Sequence, residues 1–266
     1  RSTLFPYTTL FRSEPFGDYI EAVGETEWDQ YSHCLNLMVK TIEVKELPKR
    51  KDDFEGMKRV ELHAHTKMSD MDGLNEVSQL VGISAGWGHT AVAITDHGVV
   101  QGFPDAAKEG EKNGIKVLFG MEGYVFDDKD RIKKDGTIDH KGTKTDPVRT
   151  NHIIFIAGTQ KGIRNLYKLV SISHLKYFYR KPRLPKSVIS SLREGILIGS
   201  ACEAGEVFRA VRENLPEEKI EEIASFYDYL EIQPLINDRF MINDDRYATV
   251  RSEEHTSELQ SRTVIS

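Results

Sequence analysis

Glu61-Leu62-His63-Ala64-His65-Thr66-Lys67-Met68-Ser69-Asp70-Met71-Asp72-Gly73 places two histidines one residue apart, with Asp72 shortly after them. Arg59–His63 reads as a short strand. Side chains at i and i+2 on a strand end share a side, so the imidazoles of His63 and His65 can share a metal site. An H-x-H pair alone is a weak signal, because strand histidines are more often surface or satisfied core residues. The longer string around the pair is the more specific feature.

Outward from this stretch, the pattern alternates between helix and strand. Leu74, Val77, Leu80 and Val81 recur at helical spacing, and Ala91–Thr95 is a buried-type strand. A helix is expected from about Phe103 to Lys112, stopped near Asn113-Gly114. Ile115–Gly120 and His152–Ala157 read as strands, with a helical stripe at Ile163, Leu166, Tyr167 and Val170 between the second of these and the strand Ile196–Gly199. Asn214 and Pro216 open a helix carrying Ile220, Ile223, Ala224 and Tyr227, and Tyr229–Ile232 is a last strand. Strands alternating with helices predict an α/β fold of parallel βα units. No fixed-period repeat or low-complexity tract interrupts it. Residues 127–151 form a long charged loop, of a kind that is functional or an insertion point.

Metal-capable residues recur where these strands end. His97 lies in Thr95-Asp96-His97-Gly98, Glu122 in Gly120-Met121-Glu122, and Cys202 in Ser200-Ala201-Cys202. Each alone would read as a turn or cap residue. Together with the His63 and His65 pair they predict a site on the face where barrel loops assemble active sites. His152 sits at the start of its strand, and position alone makes it structural. His174 continues an apolar helix stripe and reads as a packed helix histidine. The donors mix imidazole, carboxylate and one thiolate, which suits Zn, Mn or Fe better than Mg. The set exceeds what one tetrahedral zinc needs, so a cluster of about two or three divalent ions is expected, with phosphoester hydrolysis as its chemistry. Lys176-Tyr177-Phe178-Tyr179-Arg180-Lys181-Pro182-Arg183 interleaves aromatic and basic residues. Such a run can hold single-stranded nucleic acid through Tyr179, Arg180, Lys181 and Arg183, although a solvated loop with tucked aromatics is the commoner outcome.

Residues 17–46 read as strands, followed by a charged linker from Lys45 to Lys51. Residues 3–13 (TLFPYTTLFRS) and 251–261 (RSEEHTSELQS) match translated sequencing adapters residue for residue. They are therefore expected to pack on nothing, leaving about residues 14–250 as native sequence. A net charge of −6 argues against a stand-alone nucleic-acid binder. No apolar run reaches membrane-span length and no cleavable leader is evident, so a cytoplasmic location is expected. The two cysteines, Cys34 and Cys202, argue against a disulfide framework.

The strings KRVELHAHTKMSDMDG, AVAITDHGVVQGFPDA and GIKVLFGMEG resemble the PHP (polymerase and histidinol phosphatase) domain of PolC-type DNA polymerase III alpha subunits. GIRNLYKLVSISHLKYFYRKPRLPKS and GILIGSACEAGEVFRAV extend the likeness, which covers nearly all of residues 16–235. The resemblance implies a distorted (β/α)7 barrel over residues 47–250, incomplete at its C-terminal side, preceded at residues 14–46 by the end of an OB-fold domain. It implies metal ligation by His63, His65, Asp72, His97, Glu122, His152 and Cys202, the last family motif lying downstream. Residues 127–151 correspond to the place where many relatives carry a proofreading exonuclease, which is missing here. The implied setting is DNA replication, with DNA and other replisome subunits as partners and the polymerase residues outside this chain. Three functions stay open: a metal-dependent phosphoesterase with a 3′–5′ exonuclease role, a structural module of the polymerase, and a free-standing phosphatase on a small phosphoester.

Overall fold

A computed structural model describes the backbone of residues 7–13, 18–30, 34–45, 52–69 and 72–232. The chain divides into two compact units, Arg1–Asp53 and Phe54–Ser266.

The first unit is a three-stranded antiparallel sheet of β1 (Tyr7–Ser13), β2 (Asp18–Asp29) and β3 (Cys34–Lys45), in the order β1-β2-β3. β2 and β3 run opposed from Tyr19↔Lys45 to Asp29↔Cys34, with a register shift at Val23/Gly24. The strands expected in residues 17–46 are therefore present. The expectation for the adapter-like string at the N-terminal end is corrected in part: Tyr7–Ser13 pairs with β2, Tyr7 facing Gly24. Its Tyr, Thr, Leu and Phe residues suit a pleated edge whatever their origin. The matching string at residues 251–261 lies outside the described residues.

The second unit is α/β, built on β4 (Ala91–Ile94), β5 (Lys116–Phe126), β6 (Asn151–Ala157), β7 (Phe178–Tyr179), β8 (Lys181–Pro185) and β9 (Ile196–Gly199). Strand order is β7-β8-β5-β6-β9, with β4 also on β5. The expectation of uniformly parallel strands is corrected. β4 and β8 run parallel to β5, but β6 runs antiparallel to both β5 and β9. Apolar periodicity reports which face a strand buries, not its direction. β5 also continues past its expected end. Gly120 reads as a strand stop, yet it pairs with Ile156, where a Cβ would stand 2.6 Å from the Phe155 carbonyl oxygen. It is an in-strand glycine set by close backbone approach. At the ends of the sheet, Arg59–His63 contributes a single bridge, Glu61 to Val92, and Tyr229 a single bridge to Gly199, rather than full strands.

Six helices, α1 (Val77–Gly86), α2 (Phe103–Asn113), α3 (Gln160–Leu175), α4 (Lys186–Ser191), α5 (Glu206–Arg212) and α6 (Glu217–Ala224), complete the described unit. The Thr159 side chain caps α3 by accepting from the Gly162 N–H at 3.0 Å. Leu74, expected on α1, precedes it and is exposed.

Strand alternation sorts the core. Ile153 and Phe155 of β6, with Met121 and Val125 of β5, pack into the main cluster with Leu166 and Leu169 of α3. Val92 and Ile94 of β4 pack with Val77 and Val81 of α1 and Ala106 of α2. The opposite face of β6 carries Ile154 and Ile156, which meet Leu62, Leu118, Ala201 and Tyr229. By the two-residue period of a strand, His152 of β6 and Glu122 of β5 belong to this last face. Residues 127–151, expected to be a long charged loop, contain bridges Ile132–Ile138 and Gly142–Pro147 and an Arg131–Asp146 pair with nitrogen–oxygen distances of 2.8 and 2.9 Å.

Candidate metal centre

Four segments deliver the four histidines and Glu122 to one place. Glu61–Ala64 is tied alongside β4, the Ala93 N–H donating to the Glu61 carbonyl at 2.8 Å and the Thr95 N–H to that of Ala64 at 2.9 Å. This brings the Nε2 atoms of His63 and His65 within 3.1 Å of each other. β5 supplies Glu122, whose side chain is fully buried, and the loop after β4 supplies His97. β6 supplies His152. Because β6 is antiparallel, its start lies beside the Glu122–Tyr124 stretch of β5, Tyr124 pairing directly with His152. Position along the sequence made His152 structural; strand direction places it in the cluster.

Glu122 is the centre of the arrangement. Its Oε1 lies 2.6 Å from His152 Nδ1 and 3.5 Å from His63 Nε2. Its Oε2 lies 2.6 Å from His97 Nδ1 and 3.3 Å from His65 Nε2. Asp72 reaches His97 on the other ring nitrogen, Oδ2 to Nε2 at 2.8 Å. Three triads have donor atoms within 4.8 Å of one another: His63–His65–Glu122, His65–Asp72–His97 and His97–Glu122–His152. They share members, so they form one continuous cluster. Cys202 stands beside it, Sγ 3.7 Å from His152 Nδ1 and 4.0 Å from Glu122 Oε1. All seven sequence-predicted donors are thus brought together.

The donors fit a divalent metal. His97 Nδ1 and Glu122 Oε2 are buried and close, yet neither has a hydrogen bond of acceptable geometry. Two donor atoms converging without a proton correctly placed between them is an arrangement that a shared cation satisfies. The tautomers agree. Ser69 Oγ donates to Asp96 Oδ1 at 2.8 Å, so its 2.9 Å contact with His65 Nδ1 requires that nitrogen to donate. His65 then presents a bare Nε2 to the cluster. His63 donates from Nδ1 to the Glu231 carboxylate, at 2.8 and 2.9 Å, and likewise aims Nε2 inward. A carboxylate behind a ligating histidine fixes its ring and raises its basicity.

Two supporting residues were missed by sequence reasoning. Glu231 lies 168 residues from His63 and belongs to no recognised pattern. Asp96 was passed over beside His97. It is buried and accepts from the Thr66 N–H at 2.7 Å and from the hydroxyls of Thr66 and Ser69. Ser69 Oγ also accepts from the His97 N–H at 3.1 Å. Its strand-end position was the available signal.

Gly98 follows His97 at φ +65, and a Cβ there would lie 2.5 Å from Pro182 Cγ. Its N–H donates to the Glu122 carbonyl at 2.7 Å and its carbonyl is within 2.8 Å of His174 Nε2. His174 is therefore a helix histidine that anchors the His97 loop. Gly98→Ala is expected to cost about 1–3 kcal/mol, from the backbone region and the contact together. Chemical denaturation measures this, and an unchanged midpoint would show that the loop relaxes freely.

Electrostatics favour exchange of protons for metal. Burial opposes charge on His63, but the Glu122 and Glu231 carboxylates outweigh it and push the ring up to about 10. His97 is also raised: burial is again outweighed, by Glu122 and Asp72. Burial alone would raise Glu122, yet His152, His63, His65 and His97 hold it far below the usual carboxylate range. Burial pushes the Cys202 thiol up to about 12. In the metal-free chain, protons therefore occupy positions that a cation would take. Metal uptake near neutral pH is expected to release protons, and affinity to rise with pH. Calorimetry in two buffers of different ionisation enthalpy should give different apparent binding enthalpies; identical values would refute the exchange.

Of the predicted nucleic-acid residues, Tyr179, Arg180, Lys181 and Arg183 all lie on the β7–β8 hairpin, Arg180 forming its turn at φ 64. Tyr179 is covered by the Arg180 and Arg183 guanidiniums, at 5.5 and 4.9 Å from its ring centre. Arg183 is buried, with Nη1 donating to the His140 carbonyl at 2.6 Å, so it anchors the long loop.

An α/β unit that gathers histidines and carboxylates about one buried glutamate has the donor set of a metal-binding domain. The chain belongs to the PHP domain family, whose model matches residues 61–235. It is similar to the PolC-type DNA polymerase III of Clostridium perfringens (strain 13 / Type A), at 30% identity over 92% of this chain and 29% of that protein. The corresponding proteins of Caldanaerobacter subterraneus subsp. tengcongensis and Staphylococcus epidermidis are each 26% identical, over 92% and 90% of this chain and 30% of their own lengths. The chain thus spans under a third of these relatives. The Clostridium alignment runs over 430 residues, more than the 266 of this chain, so that relative carries residues absent here.

Proposed function

We propose that this chain is a piece of a PolC-type replicative DNA polymerase alpha subunit and that its metal centre cleaves phosphodiester bonds at DNA 3′ ends. The carrying observation is the convergence of four histidines and Asp72 around the buried Glu122, with Cys202 adjacent. His63, His65, Asp72, His97, Glu122, His152 and Cys202 are the proposed ligands, for two or three ions of Zn, Mn or Fe. Such ions, when bound, activate water and neutralise phosphate oxygens. The chain's own part is orientation: Glu231 and Ser69 fix the His63 and His65 tautomers, and His174 and Asp96 hold the His97 loop.

The finer fold reading is a distorted (β/α)7 barrel. Its support is the apolar cluster joining Leu62, Leu118, Ile154, Ile156, Ala201 and Tyr229, together with the His63–Glu231 contact between the two ends of the sheet. Residues 14–46 are proposed as the end of an OB-fold domain, residues 47–250 as the PHP domain, residues 1–13 as adapter-derived, and residues 251–266 as an adapter-derived or unrelated tail. Residues 127–151 are proposed as the point where relatives carry an exonuclease, in keeping with the longer Clostridium alignment. DNA and other replisome subunits are the proposed partners, in the cytoplasm. No helix among the described residues is long and apolar enough to cross a membrane.

The test is mismatch removal by the full-length parent polymerase. Asp72→Asn is expected to abolish metal-dependent excision of mismatched 3′ ends and to leave nucleotide incorporation largely intact. Undiminished excision would remove the proofreading role and leave the reading of the domain as a structural module of the polymerase.

A further inference from the structure

Tyr124 lies against two members of the metal cluster. Its ring is stacked with that of His97 at 6.0 Å between centres and meets His152 edge-on at 5.2 Å. The Lys181 ammonium sits over this same ring, 4.1 Å from its centre. Lys181 is half-buried and, among the described residues, its ammonium contact is the Tyr124 ring rather than a carboxylate. Its charged neighbours are mainly cations, Arg183 and Arg209, with Glu122 the acidic group in range. Arg183 is committed to the His140 carbonyl, and Arg209 to the Thr150 carbonyl and the Asn151 side chain. Lys181 is therefore a desolvated cation beside the cluster whose donors no side-chain carboxylate satisfies. An ammonium partly withdrawn from water over an aromatic ring gains when an anion completes its hydrogen bonds.

We propose that Lys181 is a positioning residue for a second phosphate, the one neighbouring the scissile group on a nucleic-acid strand. This rests on the phosphoesterase reading and narrows its substrate class. Lys181 is separated from the cluster by one aromatic ring, so it meets an anion other than the one held at the metal ligands. A small phosphomonoester has no such second anion, whereas a polynucleotide supplies one on each nucleotide. The surroundings agree: Arg180 at the hairpin turn is exposed, and Phe178 is an exposed aromatic on the same hairpin. A basic surface beside an exposed aromatic ring suits single-stranded nucleic acid. Tyr179, with both neighbouring guanidiniums on its ring, is not the base platform.

The test is anisotropy titration of a fluorescein-labelled oligothymidylate with the full chain in EDTA, where no metal-dependent cleavage occurs. Lys181→Met keeps an apolar stem over Tyr124 and removes the charge; Lys181→Arg retains the charge. Lys168→Ala, on the exposed side of α3, is the control for general charge loss. The Met variant is expected to bind about tenfold more weakly and to lower the slope of log affinity against log salt by about 0.7, one phosphate contact on a single strand. The Arg variant should recover most of the affinity, and the Lys168 control should match wild type. Wild type without salt-dependent binding, a Met variant within twofold of wild type, an unchanged slope, or equal loss in the control would each overturn the assignment. Hydrolysis is read separately in the full-length parent polymerase, with Mn²⁺ and with bis(p-nitrophenyl) phosphate and the oligonucleotide as substrates. If wild type cleaves neither, the phosphoesterase reading fails, while the EDTA titration still decides the role of Lys181.

Discussion

Glu122→Gln is expected to lower divalent-metal affinity by more than about 100-fold, measured by metal analysis after dialysis and by competition with a chelating dye. Loss of a group behind a ligand costs about 10–100-fold. Glu122 stands in front of four histidines, so its effect should exceed that range. Gln preserves volume and one acceptor oxygen, which isolates the negative charge as the variable. A second consequence concerns acid stability. The histidine contacts, against burial, hold the Glu122 carboxyl far below the usual range. A group whose folded-state value is depressed contributes stability above its unfolded value, about 4.3 for glutamate, and loses it as pH falls. Metal-free wild type should therefore lose thermal stability more steeply than Glu122→Gln on acidification below about pH 5. Full metal retention by the variant would remove Glu122 from the centre.

The sequence disclosed the donors better than the scaffold that aims them. His63 and His65 were legible because a two-residue period fixes their common side. His97, Glu122 and Cys202 were legible because each follows an apolar run of strand type. His152 was legible only through the family resemblance, because apolar patterning is silent on strand direction and β6 is antiparallel. The length of β5 was hidden by Gly120, which reads as a stop but serves a close backbone approach. Glu231 was beyond reach of local reasoning: its only distinction is a contact across 168 residues. Arg183, expected as a nucleic-acid contact or part of a solvated loop, instead donates inside the fold to the His140 carbonyl. Helices were read well where end signals were strong, as with α2, which stops at Gly114 with φ 65. Donors carry chemical identity in one residue, while orientation depends on partners far along the chain.

Asp96→Ala is expected to unfold the site from behind. The carboxyl is buried and takes hydrogen bonds from the Thr66 N–H, the Thr66 hydroxyl and the Ser69 hydroxyl. Thr66 and Ser69 are themselves buried, so water cannot replace the lost acceptor without opening the loop. Each buried donor left unmet costs about 1–3 kcal/mol, and the three together about 3–5 kcal/mol once partial relaxation is allowed. For a domain of this size that corresponds to a fall in Tm of roughly 10 °C. The damage should reach metal binding as well. Ser69 Oγ donates to Asp96, which obliges His65 Nδ1 to be the donor in their contact and leaves Nε2 free for a cation. Without Asp96 the Ser69 hydroxyl can turn its proton toward His65, the other tautomer becomes available, and the His97 N–H loses a fixed acceptor. Asp96→Asn retains one carbonyl acceptor and should fall between wild type and Ala in both Tm and metal affinity. Metal-free protein separates the two effects: the loss in Tm must persist in EDTA, since the hydrogen bonds need no ion. If the Ala variant melts with wild type in EDTA, Asp96 does not organise the loop, and the tautomer argument for His65 falls with it.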